Sequence, residues 1–343
     1  MKSDRFLPLF VLLVLSDCDA MAEKEDKSGE RGLKTFSGPH YADRLFKWLT
    51  LLMALSVFLL IGLIGWELAQ GAGPAMRQFG WRFLTSSDWN PPEEQFGALP
   101  FIFGTVVSAI IALLIAVPIS IATAVYLTEL APRWLRQPLT MFIELLAAVP
   151  SVILGLWGIF VMIPWLRDHL YPGIQKVFGF LPLFQGSISG YGMLTGGIII
   201  AIMIIPIITS VSREILRSVP GLQREAAYAL GATRWEVTRI AVLSYARKGL
   251  FGAVILGLGR ALGETMAVTM VIGNAPQISK SLFAPGYTLA SVVANEFSEA
   301  TSDMHLSALF ELGLVLLGVT VLVNIIAQIL LKTFAGPGVK PQH

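Results

Sequence analysis

The sequence predicts an all-α, polytopic membrane protein with six transmembrane helices, on three grounds. Of its 343 residues, 55% are hydrophobic and only 14% charged, and the mean hydropathy is +0.69, too apolar for a chain that folds in water. Six apolar runs, near 48–66, 100–127, 139–163, 191–212, 249–273 and 307–331, have the length of roughly 20 residues that a helix needs to cross a hydrocarbon layer about 30 Å thick. None of the runs alternates apolar and polar residues as a barrel wall does, which argues against strands.

Residues 1–44 are expected to form a cytoplasmic tail. Lys2 and Arg5 precede a nine-residue apolar stretch, Leu7 to Leu15, that superficially resembles a secretion signal. The charged residues around Cys18 do not suit cleavage, and the stretch is too short to span, so a start at Met21 is the alternative. From Glu23 to Pro39 the composition is that of a disordered segment. The single Cys18 allows no internal disulfide, and no Cys/His grouping suggests a metal.

The membrane region is expected over 45–333. Its second and fourth runs contain Pro118 and Pro206, each of which removes a backbone donor and kinks a helix. The third contains Pro150 about a third of the way along, in Ala148-Val149-Pro150-Ser151. A helix broken there could turn backbone groups toward a cavity, with Ser151 adding a hydroxyl and Gly155 a close-approach position; an ordinary kink relieved by packing is the alternative. Glu144 on that run, and Asn324 and Gln328 on the sixth, are expected to find partners on neighbouring helices. The connecting segments 67–99 and 164–190 carry Trp81, Trp89, Trp165, Phe178, Phe180 and Phe184, where aromatics anchor at the membrane interface. Residues 334–343 form a second tail.

Orientation follows from the 25 Lys and Arg residues. With the amino terminus inside, 19 fall in cytoplasmic segments and 5 on the other side, and Arg260 lies within a span. That bias places both termini in the cytoplasm.

The longest cytoplasmic connection, 213–248, is polar, basic and helix-prone. Ser218-Val219-Pro220-Gly221 opens a short helix whose weakly apolar face carries Leu222, Ala226 and Leu230, and Gly231 can stop it. Thr233-Arg234-Trp235-Glu236 has the spacing of a capping box and starts a second helix. Between the two, Ala226 and Ala227 are small enough for a partner's surface to approach the backbone, and Glu225 can fix register by charge-assisted hydrogen bonds. A loop of this length with its own helix signals suits docking of a soluble partner.

The fifth run holds Arg260 and Glu264, four residues apart, which on a helix puts both on one face about 6 Å apart along the axis. Arg260 lies eleven residues beyond Gly249, about 16 Å into the membrane at 1.5 Å per residue. A charge there costs at least about 2.5 kcal/mol, so it faces a partner helix or an aqueous path. A planar, always charged guanidinium suits an oxyanion, with Glu264 as its resting counter-ion; a salt bridge that only fixes helix packing is the alternative. Gly257, Gly259 and Gly263 would let another helix approach the pair.

The pattern Glu225-Ala226-Ala227, three residues, Gly231, followed by Leu243, resembles the coupling loop of permease subunits of ATP-binding-cassette importers. It departs from that pattern at Ala241, where the family has Ile, and at Ser244, where it has Pro. The resemblance narrows at Gly259-Arg260-Ala261-Leu262-Gly263-Glu264-Thr265 running on to Asn274, at Ala148-Val149-Pro150-Ser151 running on to Gly158, at Ser212-Arg213-Glu214 and at Gly97-Ala98-Leu99-Pro100. These are similar to permeases of phosphate-specific importers, the PstC type, from about residue 45 to the last span. The resemblance implies a type I importer permease fold of the MetI-like kind in a bacterial inner membrane, and inward movement of inorganic phosphate. It implies three partners: a sister permease (PstA-like), an ATPase dimer (PstB-like) and an extracytoplasmic phosphate-binding protein (PstS-like). The expected pathway residues are Arg260, Glu264, Thr265 and Ser151, and the expected coupling residues are Glu225, Ala226, Ala227 and Gly231.

Other functions find less support. No Gly-Lys dipeptide occurs, so there is no Walker A loop, and the chain is expected to be a subunit, not an enzyme, with no cofactor, metal or nucleic acid. His40, His169, His305 and His343 fall in tails or outward loops, which does not favour an intramembrane hydrolase. Another oxyanion, such as phosphonate, molybdate or sulfate, would suit the same architecture. An ion-coupled secondary transporter would have to use Arg260 and Glu264 without any ATPase.

Overall fold

A computed structural model of the chain describes residues 40–334, with side chains from 44 to 330. The expected tails lie almost wholly outside the described residues, as does the question of a start at Met21. All regular elements within the described range are helical; two isolated pairings, Asn90 with Gln95 and Gly273 with Gly286, staple loops. The chain divides into two units at Ile61/Gly62. In the first, helix α1 (His40–Gly71) is exposed at every described residue up to position 61, as a helix clothed by lipid or a partner must be.

The second unit holds the end of α1 and the remaining helices. After α2 (Gly73–Phe79) come α3 (Leu99–Leu130), α4 (Arg133–Ala147), α5 (Ser151–Phe178), α6 (Met193–Arg217) and α7 (Gly221–Ala229). They are followed by α8 (Arg234–Leu262), α9 (Met266–Val271), α10 (Leu289–Glu296) and α11 (Asp303–Phe334). Among the described residues six helices, namely α1, α3, α5, α6, α8 and α11, are long and apolar enough to cross a membrane.

The centre is the pair α3 and α6. Lipid is as apolar as leucine, so close packing rather than expulsion from water must hold such helices together. Every fourth residue of α3 from Gly104 through Ser108, Ala112, Ala116 and Ser120 to Ala124 is small and buried, a stripe that lets a neighbour come near. Ser120 Oγ donates across the contact to the Ile205 carbonyl at 3.2 Å. Glycine does the same for α8: a Cβ on Gly257 would lie 2.6 Å from Ile208 Cδ1, and one on Gly249 2.6 Å from Ile215 Cγ2. Those two contacts make α8 antiparallel to α6.

Three expected boundaries are corrected. The run 139–163 is not one span, because the helix stops at Ala147 and restarts after Pro150. The spanning helix is α5, which continues to Phe178 through two wider, π-type turns at Gly158–Met162 and Leu166–Leu170. Much of the segment expected as a loop over 164–190 is therefore helical. Its two adjacent charges, Arg167 Nε and Asp168 Oδ1, pair at 2.7 Å. The second helix of the 213–248 connection is not separate either. It runs through a π-type turn at Val237–Leu243 straight into the span, with Ser244 at helical φ −62° and ψ −41°, because a serine there, unlike a proline, puts no ring against the preceding turn. Finally, 249–273 is interrupted at Gly263–Thr265.

Candidate functional site

The interruption of α8 builds the charged centre. Helix α8 ends with Gly263 as its cap, and α9 begins one turn later. Glu264 sits in the gap, and its Oε1 accepts from the Ala267 amide at 3.3 Å, replacing a backbone bond that the break removes. Its other oxygen, Oε2, lies 3.3 Å from Arg260 Nη2. The expected pair thus forms, though not along one continuous helix. Its two members differ in burial: the Glu264 side chain is 4% exposed and that of Arg260 47%. The carboxylate is fixed inside the chain while the guanidinium reaches its surface.

Depth follows from the packing of α8 on α6. Gly257 meets Ile208 and Ile204, next to the middle of the 25-residue helix α6, and Arg260 is one turn further along. A half-exposed guanidinium at the mid-height of a spanning helix needs a partner helix or water beside it.

Thr265 lies in the same gap. Its hydroxyl donates to the Gly263 carbonyl at 3.2 Å, and its own carbonyl accepts from Thr269 at 2.8 Å. Ser291 on α10 reaches that carbonyl at 3.5 Å. Ser151 is not in the gap: it is the first residue of α5, one turn before Gly155, which touches α9 at Ala267 and Met270. The break therefore brings Arg260, Glu264 and Thr265 together and leaves Ser151 a turn away on the neighbouring helix.

The second group lies at the far end of α6. Helix α7 carries Glu225 and Ala226 exposed and Ala227 half-buried, and Leu222 and Leu230 stand out at 77% and 89% exposure. It ends in a Schellman turn. Ala232 donates to the Ala227 carbonyl and Gly231 to the Tyr228 carbonyl, with Gly231 at φ +84°, a conformation open to glycine at little cost. The capping box of Thr233 and Glu236 closes fully, with Glu236 Oε2 accepting from the Thr233 amide at 2.8 Å and Thr233 Oγ1 accepting from the Glu236 amide at 3.4 Å. All four residues expected to couple stand on this helix and its closing turn.

Two arginines hold this surface in place through partners that the sequence reading missed. Arg224 donates to Glu129 Oε1 on the last turn of α3 at 2.9 Å, and to the carbonyls of Val219 and Leu216 at 2.7 and 3.0 Å. Arg213, part of the Ser212-Arg213-Glu214 resemblance, is 10% exposed and lies between Glu144 on α4 at 3.1 Å and Glu214 at 3.0 Å. Glu144 thus finds a neighbouring helix as expected, whereas Asn324 bonds within its own helix, to the Thr320 carbonyl at 2.9 Å. The partners lie 95 and 69 residues apart, too far for spacing alone to pair them.

At the opposite end a cavity of about 740 Å³ is lined by Trp89, Glu94, Asn274, Glu296, Glu299 and His305 among others. Glu296 Oε2 is shared by Trp89 Nε1 at 3.0 Å and His305 Nε2 at 3.1 Å. His305 is 7% exposed and stacks on Phe96. The expected solvated loop histidine is instead the first-turn residue of α11 and part of the core. No group of three metal-binding side chains forms among the described residues.

The described chain is thus a polytopic helical protein with a charged, half-open break at mid-height and an exposed polar-ended helix at one end. Residues 116–335 match the model of the binding-protein-dependent transport system inner membrane component, and the chain belongs to that family of multi-pass membrane proteins. It is 49% identical over 293 residues to the phosphate transport system permease protein PstC of Mesorhizobium japonicum, covering 84% of this chain and 90% of that one. It is 47% identical over 295 residues to the protein of the same name from Haemophilus influenzae, covering 85% and 93%. A probable PstC of Methanocaldococcus jannaschii is 39% identical over 293 residues, covering 84% and 93%. Among solved structures, a bacterial alginate importer in complex with its alginate pentasaccharide-bound periplasmic protein superposes with a TM-score of 0.58 at 14% identity, covering 87% of this chain and 99% of that one. That likeness concerns the fold.

Proposed function

We propose that the chain is one permease subunit of an ATP-driven importer of inorganic phosphate, with Arg260 as the anion's contact halfway across. The observation that carries this reading is the asymmetric pair: a guanidinium half open to the chain's surface at mid-height, held by a buried carboxylate that cannot follow it outward. An arriving oxyanion can take over the fork of donors, and Glu264 recaptures it once the anion leaves. Extensive identity to curated phosphate permeases supports phosphate as the cargo.

The α7 end, rich in Lys and Arg, faces the cytoplasm under the positive-inside bias of 19 to 5. Glu225, Ala226, Ala227 and Gly231 then present the docking surface for a separate ATPase dimer, where ATP is hydrolysed. The cavity end faces outward, toward a phosphate-binding protein, and a sister permease completes the pathway beside the open side of Arg260. Thr265 lines that pathway at the break. Ser151 lies at the mouth of α5, and the connection 213–248 is the coupling segment.

The test is uptake into proteoliposomes holding this chain with its sister permease and ATPase, with binding protein supplied outside. Labelled phosphate should enter only with ATP inside, and sulfate, molybdate or a phosphonate in tenfold excess should leave the rate unchanged. Suppression by one of those anions would reassign the cargo, and uptake without ATPase would make the chain a secondary transporter.

A further inference from the structure

Gly155 and Gly158 share the face of α5 that meets α9, three residues apart as helix neighbours are. A Cβ on Gly155 would stand 2.5 Å from Met270 Sδ and 3.1 Å from Ala267 Cα; one on Gly158 would stand 2.8 Å from Val271 Cγ1. Carbon atoms do not approach so closely without displacing one another. Val271 is fully buried and β-branched, so it has little freedom to turn aside. Ala267 is buried and is the residue whose amide holds Glu264.

Two bare glycine surfaces therefore set how near α9 comes to α5, and α9 in turn carries the amide that fixes the carboxylate facing Arg260. Helix α9 is also held elsewhere: Gly192 donates to the Val271 carbonyl at its far end, Ile272 just past it packs against Gly196 on α6, and Ser291 reaches Thr265 before its start at a long 3.5 Å.

We propose that Gly155, supported by Gly158, is a positioning residue for transport: it seats α9 so that the Ala267 amide holds Glu264 within reach of Arg260. This rests on the reading of Arg260 and Glu264 as the anion's station. A methyl group at Gly155 pushes Ala267 by a few tenths of an ångström and forces Met270 aside, lengthening a hydrogen bond that is already 3.3 Å. The charged pair then loses its resting geometry while the spans, the docking helix and the binding protein's capture of phosphate stay as they were.

The experiment uses the full reconstituted complex and measures phosphate uptake per assembled complex. Gly155→Ala should lower the maximal rate about tenfold, in line with the sensitivity of positioned groups to sub-ångström displacement. The half-saturating phosphate concentration and the amount of ATPase co-purified should stay unchanged. Gly155→Ala combined with Met270→Ala, which removes the flexible side chain but leaves the backbone contact with Ala267, should stay nearly as slow as Gly155→Ala alone. A Gly155→Ala complex working at the unmodified rate, or a loss that Met270→Ala fully restores, would overturn the inference. Arg260→Gln, measured alongside, separates the two levels. If it stops uptake while Gly155→Ala does not, only the seat is wrong; if neither slows uptake, the reading of the charged pair has failed as well.

Discussion

At the scale of single residues, the division of labour within the charged pair makes two predictions. Arg260→Lys keeps a positive charge but loses the planar fork, so phosphate uptake should survive at about a tenth of the rate or less. Glu264→Gln leaves the guanidinium without its resting partner and keeps the cap on Ala267, since an amide oxygen can still accept. Uptake should then fall at least about tenfold because release of the anion is no longer assisted. Flux and retained phosphate in vesicles distinguish these, with retention raised only in Glu264→Gln. At the docking end, Gly231→Ala meets open space but places a side chain at φ +84°, which costs about 1 kcal/mol. The turn should fray, and binding of the ATPase should weaken several-fold in a pull-down titration.

At the scale of elements, helix α7 has no buried residue, so apolar packing holds it weakly and Arg224 ties it to the end of α3. Removing that side chain by Arg224→Ala strands Glu129, which is 16% exposed, and two carbonyls. A loss of about 2 kcal/mol of local stability is expected, read as faster hydrogen exchange across 221–229 with the spans unaffected. The same elements mark the limit of what spacing reveals. The turn at Gly231 and the box at Thr233 and Glu236 were legible because each is local chemistry among neighbours. The small stripe of α3 was present in the letters at four-residue spacing, yet small residues are common in any membrane helix. The break at Gly263 was hidden because a glycine in an apolar run ordinarily does not end a helix; here a carboxylate four residues from an arginine doubles as a cap. The extent of α5 was hidden by Arg167 and Asp168, whose charges read as loop although they pair with each other.

At the scale of the whole molecule, contacts link helix α7 to the charged centre. Helix α7 is tied to α3 by Arg224, the end of α6 to α4 by Arg213 and Glu144, and α4 leads through Pro150 into α5, whose glycines seat α9. Such continuity does not by itself demonstrate coupling, but it makes a prediction: Glu144→Gln should leave ATP hydrolysis intact and lower phosphate moved per ATP. Six apolar helices and a basic connection could be read from composition and charge, while the side-chain pairs between helices could not, because tertiary contact pairs residues that sequence keeps 69 or 95 positions apart. The central claim is that a guanidinium at mid-height meets the transported anion, and it is tested most directly by ATP-driven phosphate uptake in complexes carrying Arg260→Gln. Uptake should cease while assembly and ATP hydrolysis persist; transport at the unmodified rate would contradict the account.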